Sequence, residues 1–271
     1  MSAWVDGRPA EALSVRDRGL AYGDGLFETI AVRAGRPRLL ARHLARLEEG
    51  IRRLFLPVSL AQVEQELLAF AAQLGEGVAK LMLTRGEGLR GYAAPADAQA
   101  RRILIGSPAP AYPVAHFDEG IALFPCATRL AEQPLLAGLK HLNRLEQVLA
   151  RSEWSDPAFA EGLMRDQGGR VVEGVFSNLF LVRDGRLITP ELSRCGVAGV
   201  MRAELLEWAA GQGIPTAIRD VAYAELLQAD EVFLCNSLYG VWPVRRLEAH
   251  AWPVGAITRK LQAHFRERLD S

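Results

Sequence analysis

The chain has 271 residues, 49% of them hydrophobic and 24% charged, which is enough apolar sequence for a sizeable core and excludes a disordered or fibrous protein. Thirty-two basic residues balance thirty-two acidic ones, so no net field favours nucleic acid or an anionic membrane as partner, and any anion must be held locally. Cys126, Cys195 and Cys235 lie far apart without a CxxC pair, which argues against a disulfide framework or a cysteine zinc site and suits a reducing cytoplasm. The histidines, at 43, 116, 141, 250 and 264, lack metal-ligand spacing, so no metal is expected. With no basic leader before an apolar run and no apolar stretch of bilayer length, the expectation is a protein neither exported nor membrane-spanning.

Trp4-Val5, the Asp6-Gly7 turn and the residues that follow predict a hairpin, and Leu26 to Val32 a strand ended by Ala34-Gly35-Arg36-Pro37. Leu44, Leu47, Ile51 and Leu54 mark the core face of an amphipathic helix, and a second helix fits Leu60 to Leu74. A strand at Val78 to Thr84 leads into Arg85 to Arg101, whose glycines and missing periodicity predict a long functional loop before a strand at Ile103 to Ile105. The stiff run Pro108-Ala109-Pro110-Ala111-Tyr112-Pro113 divides the chain. The expected organisation is α/β, with a small N-terminal α+β domain over 1–107, a linker over 108–113 and a larger α/β domain over 114–271.

Beyond the linker, strands are expected at Ile121 to Phe124, Glu161 to Met164, Asn178 to Val182, Arg186 to Ile188, Glu231 to Cys235 and Val241 to Val244. Helices fit Val200 to Ala210, Tyr223 to Gln228 and Ile257 to Leu269. A further helix is expected from Asn143, because Leu142, Leu145, Val148 and Leu149 have helical spacing and Asn143 with Glu146 has the form of a capping box. Lys140 therefore sits before a helix, its stem anchored in packed backbone and its amine able to attack a carbonyl.

Four further stretches could carry chemistry. Glu173 ends a strand and opens into Gly174, Ser177 and Asn178, a small-residue turn where a carboxylate can face a cleft. Gly199-Val200-Met201-Arg202 begins a helix, whose free N–H groups and positive dipole end suit a phosphate. Asn236-Ser237-Leu238 turns after a strand, and in Arg85-Gly86-Glu87-Gly88-Leu89-Arg90-Gly91-Tyr92 the Arg90 fork suits a carboxylate.

Taken in order, these stretches resemble the fold-type IV pyridoxal-phosphate enzymes, the group of branched-chain and D-amino-acid aminotransferases and 4-amino-4-deoxychorismate lyases, over essentially the whole chain. The run Leu139 to Leu149 is most similar to the lyases. The resemblance implies that Lys140 carries pyridoxal 5'-phosphate and that Glu173, of the E-G-x-x-S-N pattern that includes Asn178, bonds its pyridine nitrogen. It further implies that Arg46, the Val200 and Met201 N–H groups, and the Asn236, Ser237 and Leu238 turn hold the cofactor.

In D-amino-acid aminotransferases the arginine matching Arg90 reaches the partner subunit's site with a histidine and a tyrosine, so a homodimer is implied. Tyr92 here stands at the histidine position and Phe27 at the tyrosine position, while Thr29 is a candidate substrate contact. These departures favour elimination of pyruvate from 4-amino-4-deoxychorismate, giving 4-aminobenzoate for folate, over transfer of an amino group between D- or branched-chain amino acids. A cofactor-binding protein without turnover is the remaining alternative.

Overall fold

In the computed structural model, which describes residues 2–270, the chain forms two units. One is Met1–Pro110 with Leu139–Asn143, and the other Ala111–Gly138 with Arg144–Ser271. Met1 and Ser271, the outer ends of the two expected domains, lie outside the described residues. A linear division places Lys140 in the C-terminal domain, whereas its five-residue segment belongs by contacts to the first unit. The reason is backbone pairing, described with the site below.

The first unit is an antiparallel sheet with helices on one face. Its elements are β1 (Ala3–Val5), β2 (Arg8–Pro9), α1 (Arg18–Tyr22), β3 (Gly25–Arg33), β4 (Arg36–Pro37), α2 (Leu40–Leu54), α3 (Leu60–Leu74), β5 (Gly77–Thr84) and β6 (Arg101–Ser107). The strand order is β2-β1-β6-β5-β3-β4. Alternation along β3 sends Leu26, Glu28, Ile30 and Val32 to the helix side, where the three apolar ones pack with Leu47 of α2 and Val63, Leu67 and Phe70 of α3. Each such buried side chain contributes roughly 1.5–3 kcal/mol. The buried line of α2 runs through His43, Leu47 and Gly50; of the expected core face Leu47 is buried, Ile51 and Leu54 pack half-buried against the core, and Leu44 alone does not join it. Phe27 and Thr29, on the other face of β3, pair in register with Met82 and Lys80.

The second unit contains α4 (Ala115–Asp118), β7 (Ile121–Leu130), α5 (Leu145–Arg151), β8 (Phe159–Asp166), β9 (Val171–Gly174), β10 (Asn178–Arg183), β11 (Arg186–Pro190), α6 (Val200–Gly211), β12 (Thr216–Arg219), α7 (Tyr223–Leu226), β13 (Glu231–Asn236), β14 (Gly240–Leu247), β15 (His250–Ala251) and α8 (Ala256–Asp270). The strand order is β12-β11-β10-β13-β14-β7-β8-β9, with β15 on β14. Strand β9 also returns to pair β10 at Asn178↔Glu173, closing the strands from β10 to β9 into a ring. Parallel pairs join β7 to β8, β7 to β14 and β11 to β12, and the core between them holds Leu123, Leu163, Leu179, Leu181, Leu234 and Trp242.

The helix expected from Asn143 begins two residues later. Arg144 is its N-cap, without a side-chain capping bond. Asn143 instead donates through Nδ2 to Gly23 O at 3.0 Å, and Glu146 accepts from Ala131 N at 2.8 Å, so neither half of the capping box forms. Leu145, Val148 and Leu149 are exposed rather than in the core. Among the described residues no helix is long and apolar enough to cross a membrane.

Candidate active site

In the first unit, the outer edge of β3 is covered by β4 only at Val32 and Arg33, which leaves the Gly25 end open. The Lys140 segment fills it. Phe27 N donates to Lys140 O at 2.9 Å, Leu142 N donates to Gly25 O at 3.0 Å, and Leu26 bridges to His141. Leu139 enters the unit's core, so both flanks of the lysine are pinned. Its Nζ lies 4.3 Å from the centroid of the Phe27 ring, over the ring face. At Gly23, with φ +64°, a side chain would come within 2.5 Å of Asn143 Oδ1, which is why the Asn143 contact requires glycine there.

Arg46 stands in an ionic cluster. Its Nε donates to Glu28 Oε1 at 2.7 Å and its Nη2 to Glu28 Oε2, while His43 Nδ1 meets Oε2 at 2.6 Å. Burial alone would raise the Glu28 pKa, but the Arg46 charge and the His43 contact outweigh it and hold the carboxyl at about 2. Burial pushes His43 down despite the pull of Glu28, so the neutral imidazole donates from Nδ1, and its buried Nε2 has no hydrogen-bond partner. Thr29 lies beside Phe27 and is half-buried, whereas Arg90 and Tyr92 are exposed on their loop.

In the second unit, the strand pair that closes the ring carries the buried Glu173 and Asn178 side chains. Glu173 Oε2 accepts from Val197 N at 2.8 Å, and Asn178 Nδ2 donates to Val197 O at 2.8 Å. The 196–199 approach to α6 is thereby fixed to β9 and β10. Gly199 is the N-cap of α6, and a Cβ there would fall 1.9 Å from Asn178 Oδ1, so no side chain fits and none caps the helix.

The first helical bond of α6 runs from Ala203 N to Gly199 O at 3.1 Å, leaving the Val200 and Met201 N–H groups ahead of the ladder in a buried first turn. That is an anion-binding arrangement. Arg202 faces away from it, donating to Thr189 Oγ1 and Pro190 O at 3.2 and 3.1 Å.

The Asn236 turn differs from expectation. Asn236 Oδ1 accepts from both Leu238 N at 2.9 Å and Tyr239 N at 3.0 Å, because this asparagine closes the β13–β14 hairpin. The Leu238 N–H is thus committed within the turn rather than offered to a phosphate. Ser177 likewise turns inward, donating to the buried Glu161 Oε2 at 2.5 Å.

Residues 25–247 match the family described as amino-transferase class IV. The chain belongs to that family. An aminodeoxychorismate lyase of Vibrio harveyi is 37% identical over 268 residues, covering 97% of this chain and 98% of that protein. The crystal structure of 4-amino-4-deoxychorismate lyase from Pseudomonas aeruginosa is 72% identical, with a TM-score of 0.98 over 99% of this chain and 100% of that one. The same fold, at 20% identity and a TM-score of 0.86, occurs in a hypothetical aminotransferase from Mycobacterium tuberculosis solved in a PLP-bound form, covering 99% of both chains.

Sequence reasoning missed Glu28 and His43 in this class IV chain. The signals were present: a glutamate sits in the buried register of an otherwise apolar strand, and His43 and Arg46 are three apart on one helix face. Val197, which acts through its backbone, left no such trace.

Proposed function

We propose that this chain is an aminodeoxychorismate lyase, converting 4-amino-4-deoxychorismate to 4-aminobenzoate and pyruvate with pyridoxal phosphate as cofactor. Full-length likeness to proteins of that name carries the reading, and the Lys140 amine against an apolar Phe27 face, where the aminotransferase pattern has a tyrosine, agrees with it. The residues present fit the cofactor, since a buried helix start that no side chain can cap and a buried carboxylate braced by Val197 are what a phosphate and a pyridinium need. When bound, the cofactor supplies a ring that takes electron density from the carbon bearing the substrate nitrogen.

Lys140 Nζ holds the cofactor and serves as the base at the ring carbon that carries nitrogen. Glu173 accepts from the protonated pyridine nitrogen, with Asn178 fixing the approach to α6. Val200 and Met201 give their N–H groups to the phosphate, with Arg46 and Ser237 beside them in role, the Leu238 N–H being held by Asn236. Arg90, with Tyr92, takes a substrate carboxylate, and Phe27 and Thr29 line the substrate. Loss of the proton and of the enolpyruvyl oxygen leaves an aromatic ring, which makes the elimination effectively irreversible.

The working unit is a homodimer in the cytoplasm. The exposed apolar face of α5, formed by Leu145, Val148 and Leu149, is a surface suited to a second copy, and the three buried free thiols suit a reducing compartment. The test pairs the visible spectrum with an assay that generates the substrate from chorismate and follows both products. Wild type is expected to show a cofactor band and to release 4-aminobenzoate with pyruvate, and Lys140→Ala to lose both. Amino-group exchange between amino and keto acids without pyruvate release would make it an aminotransferase, and a band with neither activity a cofactor carrier.

A further inference from the structure

The loop over residues 85–100 has little regular structure of its own, yet three consecutive carbonyls in it converge on one buried side chain. Arg18, the first residue of α1, is 4% exposed, a position that disfavours a charge unless its N–H groups find acceptors. They do. Nε donates to Asp24 Oδ2 at 2.9 Å, Nη1 to Gly91 O at 3.1 Å and Ala93 O at 3.3 Å, and Nη2 to Tyr92 O at 2.8 Å.

Tyr22, the last residue of the same helix, completes the grip. Its hydroxyl accepts from Gly91 N at 3.2 Å, its ring lies 4.9 Å from the Arg18 guanidinium, and it meets the Tyr92 ring edge-on at 5.5 Å. Arg85 also binds Asp24, at 2.8 Å, and donates to the carbonyls of Leu54 and Phe55 that end α2. Two cations therefore balance Asp24, and burial, which would raise its pKa, is outweighed by them. The clamp takes backbone and leaves side chains outside, with Tyr92 87% exposed.

We propose that Arg18, with Tyr22, is a positioning residue: it fixes the Gly91–Ala93 backbone so that Arg90 and Tyr92 meet a substrate carboxylate in one orientation. This rests on the reading of Arg90 as the carboxylate-binding residue. A lysine cannot replace the planar fork, because a compact ammonium does not span three carbonyls and a carboxylate at once.

Two readouts on the cofactor-loaded enzyme test it: steady-state kinetics, and the rate at which trypsin cuts the Arg90–Gly91 bond. Arg18→Lys is expected to raise KM about tenfold with kcat held within about twofold, and to speed cleavage about tenfold, the loss of one or two charge-assisted bonds. Tyr22→Phe should move both the same way by a smaller factor. Because Arg18 acts through Arg90, the double variant Arg18→Lys/Arg90→Gln should show the KM of Arg90→Gln alone.

A wild-type KM in Arg18→Lys overturns the proposal, whether or not cleavage quickens, provided Arg90→Gln has raised KM. An unchanged KM in Arg90→Gln removes the reading of Arg90 instead, and the positioning role with it. Should Arg18→Lys not fold, Tyr22→Phe carries the same two readouts, and wild-type values in both overturn the proposal.

Discussion

Two buried glutamates, one in each unit, stand behind proposed site residues and answer burial in opposite ways. Glu28 in the first unit meets a guanidinium and an imidazole and is held at about 2. Glu161 in the second meets only neutral donors: Gly162 N at 2.9 Å, Val175 N at 3.0 Å, Phe176 N at 3.3 Å and Ser177 Oγ at 2.5 Å. Burial outweighs these bonds and lifts it to about 7. Hydrogen bonds of similar number thus leave one carboxyl ionised and the other near half-protonated at neutral pH, and the difference lies in the charge of the partner. Glu28 fixes Arg46, while Glu161 fixes the 174–177 turn between Glu173 and Asn178.

The largest expected effect follows from breaking the charged cluster. Glu28→Gln removes the buried carboxylate that Arg46 and His43 meet and should lower the unfolding free energy by about 3–5 kcal/mol, read from urea denaturation. A loss below about 1 kcal/mol would show that water or another group compensates Arg46 and would end the contrast.

Next in size is the pH dependence that the two groups impose. Folding raises the Glu161 pKa from 4.5 to about 7, so the folded state keeps a proton that the unfolded chain has released. Its contribution is full below pH 4.5 and falls by roughly 3 kcal/mol as pH rises to 7. Glu28 runs the other way: its stabilisation is full above 4.5 and is lost as pH falls toward about 2. In denaturant melts from pH 5 to 8, Glu161→Gln should flatten the decline relative to wild type while losing about 1–3 kcal/mol at pH 5, where the wild-type acid is protonated. Parallel wild-type and variant curves would mean that Glu161 is not the titrating group.

Much of this architecture was legible beforehand because local pattern and final environment agreed. The α3 range Leu60–Leu74 coincides with the helix expected over Leu60 to Leu74, and the strand expected at Arg186 to Ile188 lies within β11, Arg186–Pro190. The failures share a cause, since each concerns a polar group claimed by a partner other than the one its local pattern suggested. Asn143 looked like a cap but is taken by Gly23, 120 residues away in sequence, and Leu238 N looked free but is taken by Asn236. Arg18 drew no reading from the sequence, and three of its acceptors are carbonyls more than seventy residues on. Backbone acceptors carry no residue signature, so no motif could announce them.

The smallest expected effects separate two links of one chain of donors. Tyr239 OH donates to Ser177 Oγ at 2.7 Å, and Ser177 in turn donates to Glu161. Removing the first link with Tyr239→Phe keeps the ring stacked on Trp242, 3.7 Å between centroids, and leaves the Ser177 bond to Glu161 in place. It should therefore lower stability by about 1 kcal/mol evenly from pH 5 to 8. Ser177→Ala removes a bond that lowers the Glu161 pKa, so it should carry the decline in stability to higher pH as well as lowering the curve. If Tyr239→Phe moved the pH window as far as Ser177→Ala does, the tyrosine rather than the serine would be setting the proton on Glu161, and neutral donors would act on that carboxyl over a longer range than the contrast with Glu28 allows.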